Sequence, residues 1–199
     1  FEGTPMSPND GWYWDMVQSH KISVFYTAPT AIWSLMRFGL DLPAQYDLSS
    51  LRVLGTIGKP INPEAWRWYY EVIGWSNCTI VGTYWQTNTG GHVVTNLPGA
   101  TPMNSGSCTL PFYGIDAVVL DPKTGAELAK AGDMCHNDNV HGVLAIWQSW
   151  PGMERTCLGD HKQYLAVYME PSMGGVRMGF YDCDPADCVK DDVTPQNGG

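Results

Sequence analysis

Three short apolar runs, "ISVFYT", "LRVLGTIG" and "TIVGTYW", recur through the first half of the chain, each pair separated by a segment with helical length and pattern. This spacing limits the fold more than any other feature. Strands joined this way pair in parallel through right-handed crossovers, and ligands of such sheets collect beyond the carboxyl ends of the strands. "NDGWYWDMVQSHK" predicts a helix with Asn9 or Asp10 as its cap and with Trp12, Met16 and Val17 on one face. "APTAIWSLMRFG" spaces Ile32, Leu35 and Met36 helically and stops at Gly39. "NPEAWRWYYEVIG" offers Asn62 as cap, Pro63 in the first turn, Glu64 beside the positive helix end and Gly74 as the stop. "IGKP" and "TYWQTNTGGH" then fall at strand ends, where two loops distant in sequence can line one crevice.

After Pro98 the pattern turns to strands and turns. "YGIDAVVLDPKTGAEL" predicts a strand entering an Asp-Pro-Lys-Thr-Gly turn, and "HGVLAIWQ" another strand. The expected organisation is an α/β part over residues 1–98, a β-rich continuation of the same domain over 99–170, and a divergent, irregular tail over 171–199.

Composition removes several function classes. The 199 residues are 44% hydrophobic, which supports a packed core, and with 16% charged residues and nine Trp the chain has more sticky surface than it can easily cover. A net charge of -9 without any basic run opposes binding to nucleic acid. No apolar run reaches the roughly 20 residues that span a bilayer, so no membrane partner is expected. The start, "FEGTPMSPND", has neither Met nor a leader pattern, and the expectation is a piece of a longer chain. Cysteines 78, 108, 135, 157, 183 and 188 show no C-x-x-C spacing; reduced thiols and a cytoplasmic setting follow, with mitochondrial and nuclear settings left open. The sequon Asn77-Cys78-Thr79 is read as accidental. Cys135, His136 and His141 lack a second ligand pair, so no zinc is expected. Cys183 and Cys188 sit among Asp182, Asp184 and Asp187, a setting that raises thiol pKa and discourages redox work. Asp160 and His161 are adjacent, which does not make a catalytic dyad.

"TYWQTNTGGH" carries no carboxylate and no lysine. Thr83, Thr87 and Thr89 offer hydroxyl donors and Gly90-Gly91 allow close backbone approach, which suits a phosphate oxygen. His92 either orients this loop or lies on the surface.

The series "FEGTP", "FYTAPTAIWSLM", "DLSSLRVLGTIGKPINPEAWRWYY", "TYWQTNTGGH", "LPGATPMNSGS" and "SWPGMERTCLGDH" closely resembles the AMP-forming acetyl-CoA synthetases, acetate–CoA ligases of the adenylate-forming superfamily. The likeness runs in order from Phe1 to about Tyr168. It implies an internal fragment of the large N-terminal domain of such an enzyme: a mainly parallel sheet with flanking helices, followed by a β-rich portion. It also implies ATP or AMP, Mg²⁺ and CoA as ligands, acetate or another short carboxylate as substrate, and the remainder of the parent chain as partner. In that family the carboxylate attacks the α-phosphate of ATP, and the CoA thiol then displaces AMP. By resemblance Gly58, Lys59, Pro60, Thr83, Tyr84, Trp85, Gln86 and Thr87 bind nucleotide. Gly58, Lys59 and Pro60 flank adenine, Thr87 meets phosphate, and Trp85 walls the acyl pocket with Ile57.

The chain departs from the family pattern at its carboxylates. Lys59 stands where the family has Glu, Gly82 where it has Asp, and Asn88 at the metal-linked Glu position; Phe180 replaces a ribose-binding Asp if "VRMGF" aligns with the family's Thr-Gly-Asp segment. The family's phosphate-grasping loop belongs upstream of Phe1 and its catalytic lysine downstream of Gly199, so no catalytic residue is assigned within this chain. Two readings stand: a partial, inactive ligase, or a ligase-derived nucleotide-binding or scaffold protein without chemistry.

Overall fold

A computed structural model describes residues 4–57, 61–130, 140 and 142–169. The first part is a mainly parallel sheet. Strands β1 (Val24–Thr27), β2 (Val53–Ile57) and β3 (Thr79–Tyr84) pair in parallel in that order, and β4 (Val94–Thr95) adds antiparallel to β3. Helices α1 (Trp12–His20), α2 (Pro29–Met36) and α3 (Pro63–Trp68) occupy the segments before and between these strands.

Register explains the burial. Phe25, Leu54 and Ile80 form one row across the sheet and sink into the helix-side core with Trp14, Val17, Ile32, Leu35 and Tyr69. The alternate row is Tyr26, Gly55 and Val81, and here Tyr26 remains 43% exposed. A pleated strand sends neighbouring side chains to opposite faces, so one strand supplies both the core and the site.

The helix signals are met in part. Asn62 Oδ1 accepts from the Ala65 amide at 2.8 Å and Pro63 opens α3, as its sequence predicts. Gly39 takes the left-handed conformation (φ 76°) and donates its amide to Met36 O, closing α2. Neither Asn9 nor Asp10 caps α1. Gly11 occupies the cap position and Asn9 Oδ1 accepts its amide at 3.0 Å, while Trp14 and Val17 rather than Trp12 and Met16 are buried. Close packing marks this end of the helix: a Cβ on Gly11 would lie 2.0 Å from Tyr46 Oη, so the ring of Tyr46 lies against the start of α1. Beyond α3 the helix widens into a π turn over Tyr69–Ile73, and the buried Tyr69 hydroxyl faces the carbonyl oxygens of Phe25 (3.2 Å) and Gly55 (3.4 Å). Gly74 stops this helix without positive φ. Its hydrogen is required by crowding instead, since a Cβ would meet Tyr70 O at 2.8 Å and Cys78 Cβ at 3.0 Å.

The second sheet is antiparallel, ordered β6 (Glu127–Lys130), β5 (Ala117–Leu120), β7 (Val143–Ile146). All four residues of β5 are buried, as a central strand requires. The turn after it follows its sequence: Asp121 accepts the amides of Lys123 (2.7 Å) and Thr124 (2.8 Å), and Gly125 supplies φ 70°. Those backbone hydrogen bonds, the one from Thr124 first, hold the Asp121 carboxyl below the usual carboxylate range. Helix α4 (His161–Tyr168) closes the described region. No helix among the described residues is long and apolar enough to cross a membrane.

Candidate functional site

The carboxyl ends of β1, β2 and β3 meet at residues 26, 56 and 83, and a directed hydrogen-bond chain ties them together. Thr83 Oγ1 lies 2.8 Å from Thr56 O, and Tyr26 Oη lies 2.6 Å from Thr83 Oγ1. Trp85 Nε1 donates to Tyr26 Oη at 3.1 Å. The carbonyl only accepts, so the single Thr83 proton goes to Thr56 O. The indole only donates, so Tyr26 accepts from Trp85 and gives its own proton to Thr83. Each link has one possible polarity, and aligned links reinforce one another in a partly dry site. Ile57 sits opposite Thr83 in the β2–β3 register, half-buried at the end of its strand. The His92 ring lies 6.3 Å from Tyr26 and 6.4 Å from Trp85, so this exposed residue flanks both aromatics.

The loop beyond Trp85 folds into a short 3₁₀ turn, Thr87–Thr89, capped reciprocally by Gln86 and Thr89. Thr89 is fully buried, and its hydroxyl accepts the Gln86 amide at 3.0 Å and faces the Gln86 and Gly91 carbonyl oxygens, both at 2.7 Å. Of the three loop hydroxyls, those of Thr83 and Thr89 are therefore used inside the protein. Thr87 is the exposed one. Tyr84 points the other way, into a buried cluster with Val93, Ile146, Met153 and Tyr164.

A remote segment holds the far side of the loop. Trp150 Nε1 donates to Thr89 O at 2.9 Å, and the Glu154 amide donates to Asn88 O at 2.8 Å. Gly90 takes φ 68° against Gly152, where a Cβ would lie 1.9 Å from Gly152 O. The Asn88 side-chain amide donates to Glu154 Oε2, and the Cys157 thiol to Glu154 Oε1 at 3.4 Å. That last bond, then burial, then the charges of Glu154 and Asp160 push the Cys157 thiol up.

Gly82 is packed rather than open: its amide donates to Asn96 Oδ1 at 3.0 Å, and a Cβ would approach Ser107 O to 3.1 Å and Cys108 Sγ to 3.6 Å. Among the described residues no group of three or more His, Cys, Asp or Glu is placed to hold a metal. Asn88 presents its amide N–H to Glu154 Oε2, and the Cys157 thiol takes Oε1, so both oxygens of that carboxylate are engaged. As arranged, this carboxylate is satisfied within the protein and is not presented as an open oxygen ligand to a hard cation. Asp160 serves as the N-cap of α4, accepting the Gln163 amide at 2.9 Å, and His161 Nδ1 pairs with Thr156 Oγ1 at 2.9 Å, so the adjacent pair is structural. Gly58, Lys59, Pro60, Phe180 and the residues Cys135, His136, His141, Cys183 and Cys188 lie outside the described residues.

Sequence reasoning missed Tyr26 and Glu154. For Tyr26 a signal exists: Gly55, a glycine inside a strand, marks close approach of a neighbour, and its register partner is Tyr26. Glu154 meets Asn88 across 66 positions of sequence, and no local pattern announces such a contact.

A family model described as AMP-binding enzyme matches residues 1–150. Acetyl-coenzyme A synthetase of Dictyostelium discoideum is 53% identical over 174 residues, covering 87% of this chain and 26% of its own length. The protein of that name from Paraburkholderia phymatum is 51% identical over 179 residues, with 88% and 26% covered. The chain thus spans about a quarter of the length of these curated relatives. Among solved structures, acetoacetyl-CoA synthetase from Streptomyces lividans aligns with a TM-score of 0.75 at 21% identity, over 89% of this chain and 26% of its own, a likeness of fold.

Proposed function

This chain belongs to the AMP-binding enzyme family, and from that membership we propose that it forms the acyl-and-nucleotide half of an adenylate-forming site for acetate or another short carboxylate. In the complete reaction the carboxylate oxygen attacks the α-phosphorus of ATP and pyrophosphate leaves; the thiol of CoA then takes the acyl group and AMP departs. This chain's share is binding. Trp85 with Ile57 bounds the acyl group, the exposed Thr87 hydroxyl meets the phosphate, and Gly58, Lys59 and Pro60 flank the adenine. The observation that supports this reading best is the Trp85 indole, held by a hydrogen bond to Tyr26 just past the carboxyl end of the parallel strand β3. An indole fixed there leaves room for a short acyl chain only.

A second reading has its own observation. Asn88 is bonded to Glu154 and the space at Gly82 is filled, so two of the positions that bear carboxylates in the resembled family are built into the packing here. That arrangement suits a nucleotide-binding protein without chemistry. Calorimetric titration of the full chain with AMP, alongside acetate-dependent exchange of pyrophosphate into ATP, tests both readings. AMP binding without exchange above a no-protein control is the expected result. Absence of AMP binding overturns the nucleotide site, and exchange above control overturns the assignment of binding alone.

A further inference from the structure

Trp85 lies one residue beyond β3, outside the strand ladder, and is only half-buried. Two soft side-chain torsions would leave such an indole free to swing, and a swinging wall sets no pocket depth. Its one polar atom decides its position, and that atom bonds to Tyr26. We propose that Tyr26 is a positioning residue that fixes the Trp85 indole and so determines the acyl chain length accepted. The proposal rests on the reading of Trp85 as the acyl wall.

Three adjacent strands cooperate to hold Tyr26 still. On β2, Gly55 leaves the space its ring fills, since a Cβ there would lie 2.2 Å from Tyr26 Cδ2. On β3, Thr83 accepts the phenolic proton, and Thr83 is itself anchored on Thr56 O of β2. On the outer side the His92 ring stands 6.3 Å from Tyr26 and 6.4 Å from Trp85, beside both rings. The polarity of the chain makes the last member dependent on the first. If Tyr26 loses its oxygen, Trp85 Nε1 has no acceptor in this arrangement and turns toward water, and the wall moves with it.

The test uses unreactive alkyl esters of AMP as stand-ins for acyl-adenylates. The full chain is titrated calorimetrically with AMP, its ethyl ester and its butyl ester. Wild type is expected to prefer the ethyl ester. Tyr26→Phe keeps the ring and is expected to reduce that preference about tenfold, the lower end of what accommodating a methylene in an apolar pocket is worth, with AMP affinity unchanged. A second readout needs no ligand: the Trp85 indole N–H resonance, assigned by its loss in Trp85→Phe, should shift in Tyr26→Phe and Thr83→Val and return in Thr83→Ser. Equal weakening of AMP and both esters in Tyr26→Phe would show a merely structural role and overturn the proposal. An unchanged preference in Tyr26→Phe overturns it too, and if Trp85→Gly still alters the preference, the reading of Trp85 survives. If Trp85→Gly leaves the preference intact, the acyl-wall reading falls and takes this proposal with it.

Discussion

The two halves of residues 83–92 are held by different parts of the molecule. Thr83 and Trp85 are fixed from within the parallel sheet, by Tyr26 of β1 and Thr56 of β2. Asn88, Thr89 and Gly90 are fixed from outside it, by residues 150–154, which follow the antiparallel sheet. In the sheet half Thr83 is placed by strand register, and Trp85, just beyond the strand, hangs on it through Tyr26. The outer half is set by a few contacts of one remote segment, so changes there act on the loop without disturbing the strands. Asn88 falls in the outer half, next to the carboxylate of Glu154.

The largest expected effect breaks the outer half at its backbone. Gly90→Val forces a left-handed conformation on a β-branched residue and drives its Cβ into Gly152 O, so urea denaturation should show a loss of about 3 kcal/mol. The neighbouring Gly91→Val is the control. Nothing lies within 4 Å of a Cβ there, and its cost should stay within about 0.5 kcal/mol. Equal costs would mean that the loop does not rest on residue 152.

Charge sharpens the comparison next. Asn88→Glu exchanges a hydrogen bond for two facing carboxylates and should destabilise by about 1–3 kcal/mol, whereas Asn88→Glu with Glu154→Gln should recover most of the loss. A double-mutant cycle measures the coupling. Strict additivity would deny the contact.

The smallest effect concerns Cys157. Its thiol is pushed up, first by its hydrogen bond to Glu154, so the folded state favours the protonated form. A group with a raised pKa contributes stability that is complete below its unfolded value and is lost as pH rises through the folded one. Site-resolved alkylation with iodoacetamide should therefore show Cys157 reacting along a curve displaced to higher pH than a free cysteine. Glu154→Gln should move the curve back. Coincident curves for wild type and variant would mean that Glu154 does not act on the Cys157 thiol.

What could be read from the sequence was local chemistry. The cap at Asn62, the left-handed Gly39 and the Asp121 turn each depend on residues within a few positions, and the parallel order follows from crossover length. The buried face of α1 differs from the expected one at Trp14, and the start of that helix packs on Tyr46, more than thirty positions away, a contact that no local pattern announces. The π turn at Tyr69 has the same kind of origin, since its hydroxyl is aimed at the backbone of β1 and β2. At the loop, counting hydroxyls could not tell which were available. Thr83 and Thr87 are the same residue type in one decapeptide, yet strand β3 turns one inward while the short turn beyond it leaves the other exposed.

The bond from Trp150 to Thr89 spans 61 positions, and this separation orders events in time. A ribosome releases the chain from its amino end at about 5–20 residues per second, so the parallel strands can pair while the segment that clasps the loop is still unmade. Until residues 150–154 emerge, Asn88, Thr89 and Gly90 lack their partners, and the entropy of closing that long circuit has yet to be overcome. A nascent chain arrested before Trp150 would carry β1 to β3 already paired and their outer loop still loose.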